Sequence, residues 1–237
     1  MTSALAQDSG NRVTARSIAT RAKLLAVAER LFATQGVDGT TLNEIGQAAD
    51  QRNAAACQYH FGNKDGLLQA ILDKHTPGIA ARRNAILDEI ERTGPVTLRD
   101  AVHAYVTPVA EKLRDTNGGP EYIRINAQLL ALHAMYYQHL GPSTLRPPQA
   151  TRMVETFGQC LSGAGLPPPV QEQRLTLSSI MLFHGLADHS RIVQMSEQSG
   201  PSNDTALFVA ILEDAITAML TTPVSADTLA LLPMANR

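Results

Sequence analysis

The stretch Thr40 to Lys64, TTLNEIGQAADQRNAAACQYHFGNK, constrains what this chain can fold into more than any other. Thr41 and Glu44 have the T-x-x-E spacing of a capping box, in which hydroxyl and carboxylate satisfy each other's orphan amides at a helix start. A helix beginning there puts Leu42, Ile45 and Ala49 on one narrow apolar stripe. After Asp50 the chain turns and restarts, with Asn53 as the expected N-cap of a second helix. Ala54, Ala55, Ala56 and Cys57 are small enough for that helix to lie close on its predecessor, and Phe61 supplies an anchor. Gln51, Arg52, Asn53, Gln58, Tyr59 and His60 are left to face outward. Arg grips guanine and Asn or Gln grips adenine by paired hydrogen bonds in the major groove. Two short helices that present such residues at the start of the second make a helix-turn-helix DNA reader.

The run LLAVAERLFATQGVDGTTLNEIGQAAD, followed by YHFGNKDGLLQAIL, resembles the TetR family of transcriptional regulators. Ala28, Leu31, Phe32, Gly36, Thr40, Thr41, Ile45, Ala49, His60, Phe61, Lys64 and Leu67 match the family pattern in order, within about Arg21 to Leu72. Three departures stand out. The usual Ala-Gly-Val-Ser turn is replaced by Ala49-Asp50-Gln51-Arg52-Asn53, the Ile45 to Phe61 interval is one residue longer than the commonest spacing, and Gln58 holds the usual Tyr position, with Tyr59 beside it. The resemblance implies an all-α fold, in which an N-terminal three-helix DNA-binding domain precedes a larger helical ligand-binding and dimerisation domain. The expected DNA-contacting set is Thr41, Gln51, Arg52, Asn53, Ala54, Gln58, Tyr59, His60 and Lys64. Arg52 and Asn53 are expected at base edges, and Thr41, Tyr59, His60 and Lys64 at phosphates.

Charge supports this locally rather than globally. The chain carries 20 Lys/Arg against 22 Asp/Glu, so it is no basic protein overall. Arg12, Arg16, Arg21 and Lys23 nevertheless stand together with no acid between Asp8 and Glu29, which is what phosphate contact requires. Cys57 and Cys160 have no metal spacing and make no disulfide framework, so both read as reduced thiols, with a thiol switch at Cys57 as the sharper alternative. No apolar run of membrane-spanning length occurs and the start lacks the pattern of a secretory signal, so a cytoplasmic protein is expected.

Taken in order, residues 1–13 read as a flexible arm, 14–74 as the DNA-binding domain, 75–221 as the effector-binding and dimerisation domain and 222–237 as a tail. The bracing helix is expected from Thr14 to about Gln35, with Gly36 as its stop. Pro77-Gly78 is expected to kink or restart the helix after Asn63. Further helices are expected from Thr97, over Glu121 to His139, from about Gln149 to Ser162, from Val170 to Met195 and from Asp204 to Thr221.

No catalytic motif, phosphate-binding loop or metal-ligand cluster is present, so no cofactor and no metal are expected. His184 and Asp188, four residues apart, are the nearest approach to a metal pair and read more simply as partnered polar groups. His133, Met135, Tyr136, Phe157, Met181 and His184 are a candidate lining for a small-molecule effector pocket. The last two long helices are apolar over too wide a face for one core-directed stripe. Ile180, Phe183, Leu207, Phe208, Ile211, Ala215 and Met219 are the candidate dimer interface, which the family pattern pairs as a four-helix bundle between subunits. The leading function is a regulator, a repressor, of double-stranded DNA operators released by a small apolar or amphipathic effector. A helical small-molecule binding protein or enzyme retaining a helix-turn-helix, and a partner-binding helical protein, are the alternatives.

Overall fold

The computed structural model describes residues 2–51, 55–139, 151–195 and 203–232, with side chains left aside at 2–14, 131–139 and 151. Within these residues the fold is all-α. Helices α1 (Thr2–Gln35), α2 (Leu42–Ala48), α3 (Ala56–Phe61) and α4 (Lys64–Glu91) come first. They are followed by α5 (Leu98–Ala110) with a 3-10 turn at Glu111–Arg114, then α6 (Gly119–His139) and α7 (Thr151–Leu161). Helices α8 (Pro168–Met195), α9 (Thr205–Thr221) and the short α10 (Ala226–Ala230) complete the chain.

Helix α1 differs from expectation, and of the kink or restart expected at Pro77-Gly78 the continuous α4 excludes the restart. Helix α1 starts at Thr2, so the segment expected as an arm is continuous with it; Ala4, Leu5, Ala6 and Gln7 are good helix formers and no proline precedes Pro77. Helix α4 runs unbroken through Pro77, although proline cannot donate to the Asp73 carbonyl. Ile71, Leu72, His75 and Ile79, on either side of it, are all buried, and their packing carries the helix across. The boundary expected between residues 74 and 75 therefore falls inside one helix.

Leu24, Ala28 and Phe32 of α1 meet Ile45, Ala49, Cys57, Leu67 and Ile71 in the N-terminal core, all fully buried. The same apolar cluster continues through Leu87, Val102 and Ile123 to Leu182, Leu186, Ile216 and Leu220. Each such Leu, Ile or Phe contributes about 1.5–3 kcal/mol on burial. In the body, α6 packs on α8, α5 on α4 and α9, and α8 on α9.

Polar contacts among the described residues also tie the N-terminal module to the body. The Gln128 side chain of α6 accepts from the Val37 amide at 2.8 Å and donates to the Phe32 carbonyl at 3.0 Å, closing the end of α1 and the loop after it. Glu29 of α1, 2% exposed, receives Lys74 Nζ at 2.7 Å and lies 2.9 Å from His75 Nε2, both on α4. The His75 ring in turn lies 4.7 Å from that of Tyr122 on α6. Gly118, at φ 84°, passes so close that a Cβ there would stand 2.4 Å from Glu29 Oε2. Backbone conformation and the pinned carboxylate both require glycine at this position.

Candidate nucleic-acid interface and ligand cavity

The capping box forms as the spacing predicts. Thr41 Oγ accepts from the Glu44 amide, and Glu44 Oε2 accepts from the Thr41 amide at 2.7 Å. These bonds, the backbone one first, hold the Glu44 carboxyl below its ordinary value. At the other end of α2, the Asp50 amide donates to Gln47 O and the Gln51 amide to Gly46 O, the two bonds of a Schellman ending. The residue that reverses the chain there is Asp50, at φ 54°, where glycine is the usual choice. Asp is among the few side chains that tolerate this region. Lys23 Nζ, 2.8 Å from Asp50 Oδ2, holds the turn against α1 and lowers the carboxyl's pKa.

Helix α3 begins at Ala56, with Ala55 as an N-cap that makes no side-chain bond. Arg52, Asn53 and Ala54, expected at base edges and at the helix start, lie outside the described residues. The face of α3 is nevertheless defined. Cys57 points inward with no exposure, whereas Tyr59 is 82% exposed and meets His60 edge-on at 5.1 Å. Gln58 is exposed beside it, and Gln51 Nε2 bonds back to the Ala49 carbonyl at 2.9 Å. Thr41 is exposed at the start of α2. Lys64 Nζ donates to the Val37 carbonyl at 2.9 Å, a role the phosphate expectation did not include. An ammonium has three donors, so two remain. Arg21 lies over the Phe61 ring at 4.9 Å, bracing α1 on α3. Burial raises the pKa of the Cys57 thiol, which disfavours the thiolate that a redox switch needs.

The model for bacterial regulatory proteins of the tetR family matches residues 24–71, spanning α1, the helix-turn-helix and the first part of α4. Residues 24–71 are a TetR-family domain. Over 77 residues the chain is 39% identical to the HTH-type transcriptional regulator TtgR of Pseudomonas putida, a match covering 32% of this chain and 36% of that protein. It thus spans about a third of that relative's length. A TetR-family transcriptional regulator from Pectobacterium atrosepticum is similar in structure at 21% identity, over 89% of this chain and 98% of the other, with a TM-score of 0.39.

Downstream of the TetR-family domain, a cavity of about 290 Å³ lies among α4, α5, α7 and α8. Its apolar walls include Met153, Val154, Phe157 and Leu175. Arg83 from α4 and Tyr105 from α5 supply polar groups, with Gln171, Ser178 and Ser179 from α8. The Tyr105 hydroxyl and Ser179 Oγ are 2.8 Å apart, and Phe157 meets the Tyr105 ring edge-on at 5.7 Å. Of the residues expected to line an effector pocket, Phe157 borders this cavity. Met181 packs on the core and His184 is half-buried, and neither lines this cavity. The cavity side of α8 carries 171, 175, 178 and 179, and at about 100° per residue 181 and 184 point elsewhere. The side chains of His133, Met135 and Tyr136 lie outside the described residues. Among the described residues no group of three His, Cys, Asp or Glu is placed to hold a metal ion, and no helix is long and apolar enough to cross a membrane.

The expected interface residues divide into two sets. Leu207 and Ile211 of α9 are 46% and 57% exposed, one helical turn apart. Ile180, Ala215 and Met219 are half-buried. Phe183 and Phe208 are half-buried as well, each against another ring. Phe183 meets Tyr122 edge-on at 6.3 Å, and Phe208 stacks on His189 at 4.3 Å. Leu177, Ile192 and Met195 of α8, not in the expected set, are also exposed.

Proposed function

We propose that this chain is a sequence-specific DNA-binding transcriptional regulator of the TetR type, a cytoplasmic repressor that leaves its operator when a small amphipathic ligand fills the body cavity. The observation that carries the reading is the outward presentation of Tyr59 and Gln58 on the second helix of a TetR-family domain. An almost fully exposed tyrosine on so short a helix is well placed to reach a phosphate, and the segment before it supplies Arg52 and Asn53 for bases. Helix α4 extends from this domain to Arg83 at the cavity, 19 residues or about 28 Å after Lys64. A ligand that shifts α4 at Arg83 shifts the helix-turn-helix at its other end. No catalytic role is assigned.

The reading includes a homodimer. Leu207 and Ile211 on α9, with Leu177 and Ile192 on α8, form an apolar surface for a second copy to cover. A two-fold pair would set its recognition helices about 34–36 Å apart, matching a palindromic operator. Selection of genomic fragments on the full chain, with and without cell extract, tests the proposal. An enriched palindrome that extract releases is the expected result; fragments retained without any shared sequence would count against specific DNA binding.

A further inference from the structure

Arg83 stands in the cavity as a cation without a counter-charge among the described residues. One terminal nitrogen, Nη2, donates to the Tyr105 carbonyl at 3.2 Å, and the guanidinium lies 4.9 Å from the centre of the Tyr105 ring. Its Nε is shielded from solvent and has no hydrogen-bond partner among the described residues. No carboxylate among the described residues pairs with it, although most other arginines of the body do have acidic partners: Arg82 with Glu111, Arg99 with Asp214, Arg152 with Asp88 and Glu91. Residues 131–150, the end of α6 and the stretch before α7, contain no Asp or Glu to supply one. Burial depresses the guanidinium's pKa, with only partial compensation from the two tyrosines nearby. A half-buried cation with no acidic partner is costly, and an anion that meets its terminal N–H groups offsets part of that cost.

The rest of the cavity defines what such an anion carries. Met153, Val154, Phe157 and Leu175 offer an apolar wall on the α7 and α8 sides, while Ser178 and Ser179 place hydroxyls on the same side of α8 as the cavity. At about 290 Å³ the space is near the lower end for a small-molecule site. We propose that the cavity takes a small amphipathic carboxylate, its anionic head bound by Arg83 and its apolar body lying against Met153, Phe157 and Leu175. This rests on the reading of the cavity as the effector site, and it makes the sensor charge-selective. The planar fork of the guanidinium matches the two carboxylate oxygens. Because Arg83 belongs to α4, head-group capture acts directly on the helix that enters the TetR-family domain.

Calorimetric titration of the full chain, without DNA, with phenylacetate and octanoate against the uncharged phenylacetamide and octanamide tests this. The acids are expected to bind about tenfold or more tightly than the amides, the factor appropriate to hydrogen bonds made to a charged group. Arg83→Met should erase that preference while melting at a higher temperature than the parent without ligand, because a half-buried charge with no acidic partner has been removed. Arg83→Lys keeps the charge without the fork and should retain part of the preference. Amides binding as well as acids, no binding by any of the four, or acid preference surviving in Arg83→Met would overturn the inference. Release of a selected duplex is measured separately by anisotropy. Acids that bind selectively yet leave duplex affinity unchanged would sink the effector reading and leave the carboxylate site standing.

Discussion

Replacing Gln128 by Ala removes both hydrogen bonds by which α6 holds the end of α1, the one from the Val37 amide at 2.8 Å and the one to the Phe32 carbonyl at 3.0 Å. Each is of ordinary length and contributes about 1 kcal/mol net. The losses are unequal. The Phe32 carbonyl keeps the Gly36 amide as a donor at 3.1 Å, whereas the Val37 amide, on a residue only 4% exposed, is left unpaired. Stranding that amide adds about 1–2 kcal/mol, so the expected total is about 3–4 kcal/mol, a large share of the usual 5–15 kcal/mol. With a urea slope of about 2–3 kcal/mol/M, the unfolding midpoint, followed by circular dichroism, should fall by about 1–2 M. Gln128→Glu keeps the acceptor for Val37 but opposes the Phe32 carbonyl with a second acceptor, and should lie between parent and Ala. Unchanged midpoints in both variants would refute the assignment of Gln128 as a clamp between the body and the N-terminal domain.

Glu29→Ala leaves Lys74 and the buried His75 facing an empty site, and should destabilise by about 3–5 kcal/mol in a thermal or urea melt. A loss within error of zero would mean that solvent replaces the carboxylate freely. Acid should loosen the helix-turn-helix: Glu44 and Asp50 are held below 4.5 and 3.8, so what their bonds contribute is complete at neutral pH and is lost as pH falls through the depressed folded values. Protection factors of the α2 amides, taken against the intrinsic exchange rate at each pH, that do not fall below about pH 4 would contradict this. Charging the exposed apolar face with Leu207→Glu and Ile211→Glu should convert a dimer to a folded monomer by light scattering, with operator affinity reduced; a parent chain already monomeric at micromolar concentration would remove the proposed symmetry.

What could be read in advance was what depends on near neighbours in the chain. The Thr41–Glu44 box, the stop at Gly36 and the buried stripe through Leu42, Ile45 and Ala49 are all local consequences of residue type and spacing. Asp50 was visible as a departure from the family turn, but its backbone role was not, because a left-handed residue other than glycine declares itself only through the bonds that close around it. The bond from Lys64 to the Val37 carbonyl was not legible, because its partner is 27 residues away. Nothing in the residues around Arg83 distinguishes it from the chain's other arginines, and only the approach of α5, α7 and α8 encloses it. Met181 and His184 belonged to an apolar, polar-dotted stretch of α8 whose direction depends on rotation about the helix axis, which hydrophobicity this broad does not determine. Phe183 and Phe208 count toward a wide apolar face in the sequence, which does not show that their rings also meet Tyr122 and His189.

The central claim, that the outward face of α2 and α3 holds duplex DNA through its phosphates, is tested most directly by the salt dependence of binding to a selected duplex, parent against Tyr59→Ala and Lys64→Ala. Affinity should fall linearly in log salt, with each substitution weakening all sequences alike and Lys64→Ala making the slope shallower by about one. Affinity indifferent to salt, or slopes and affinities identical in all three proteins, would contradict the account.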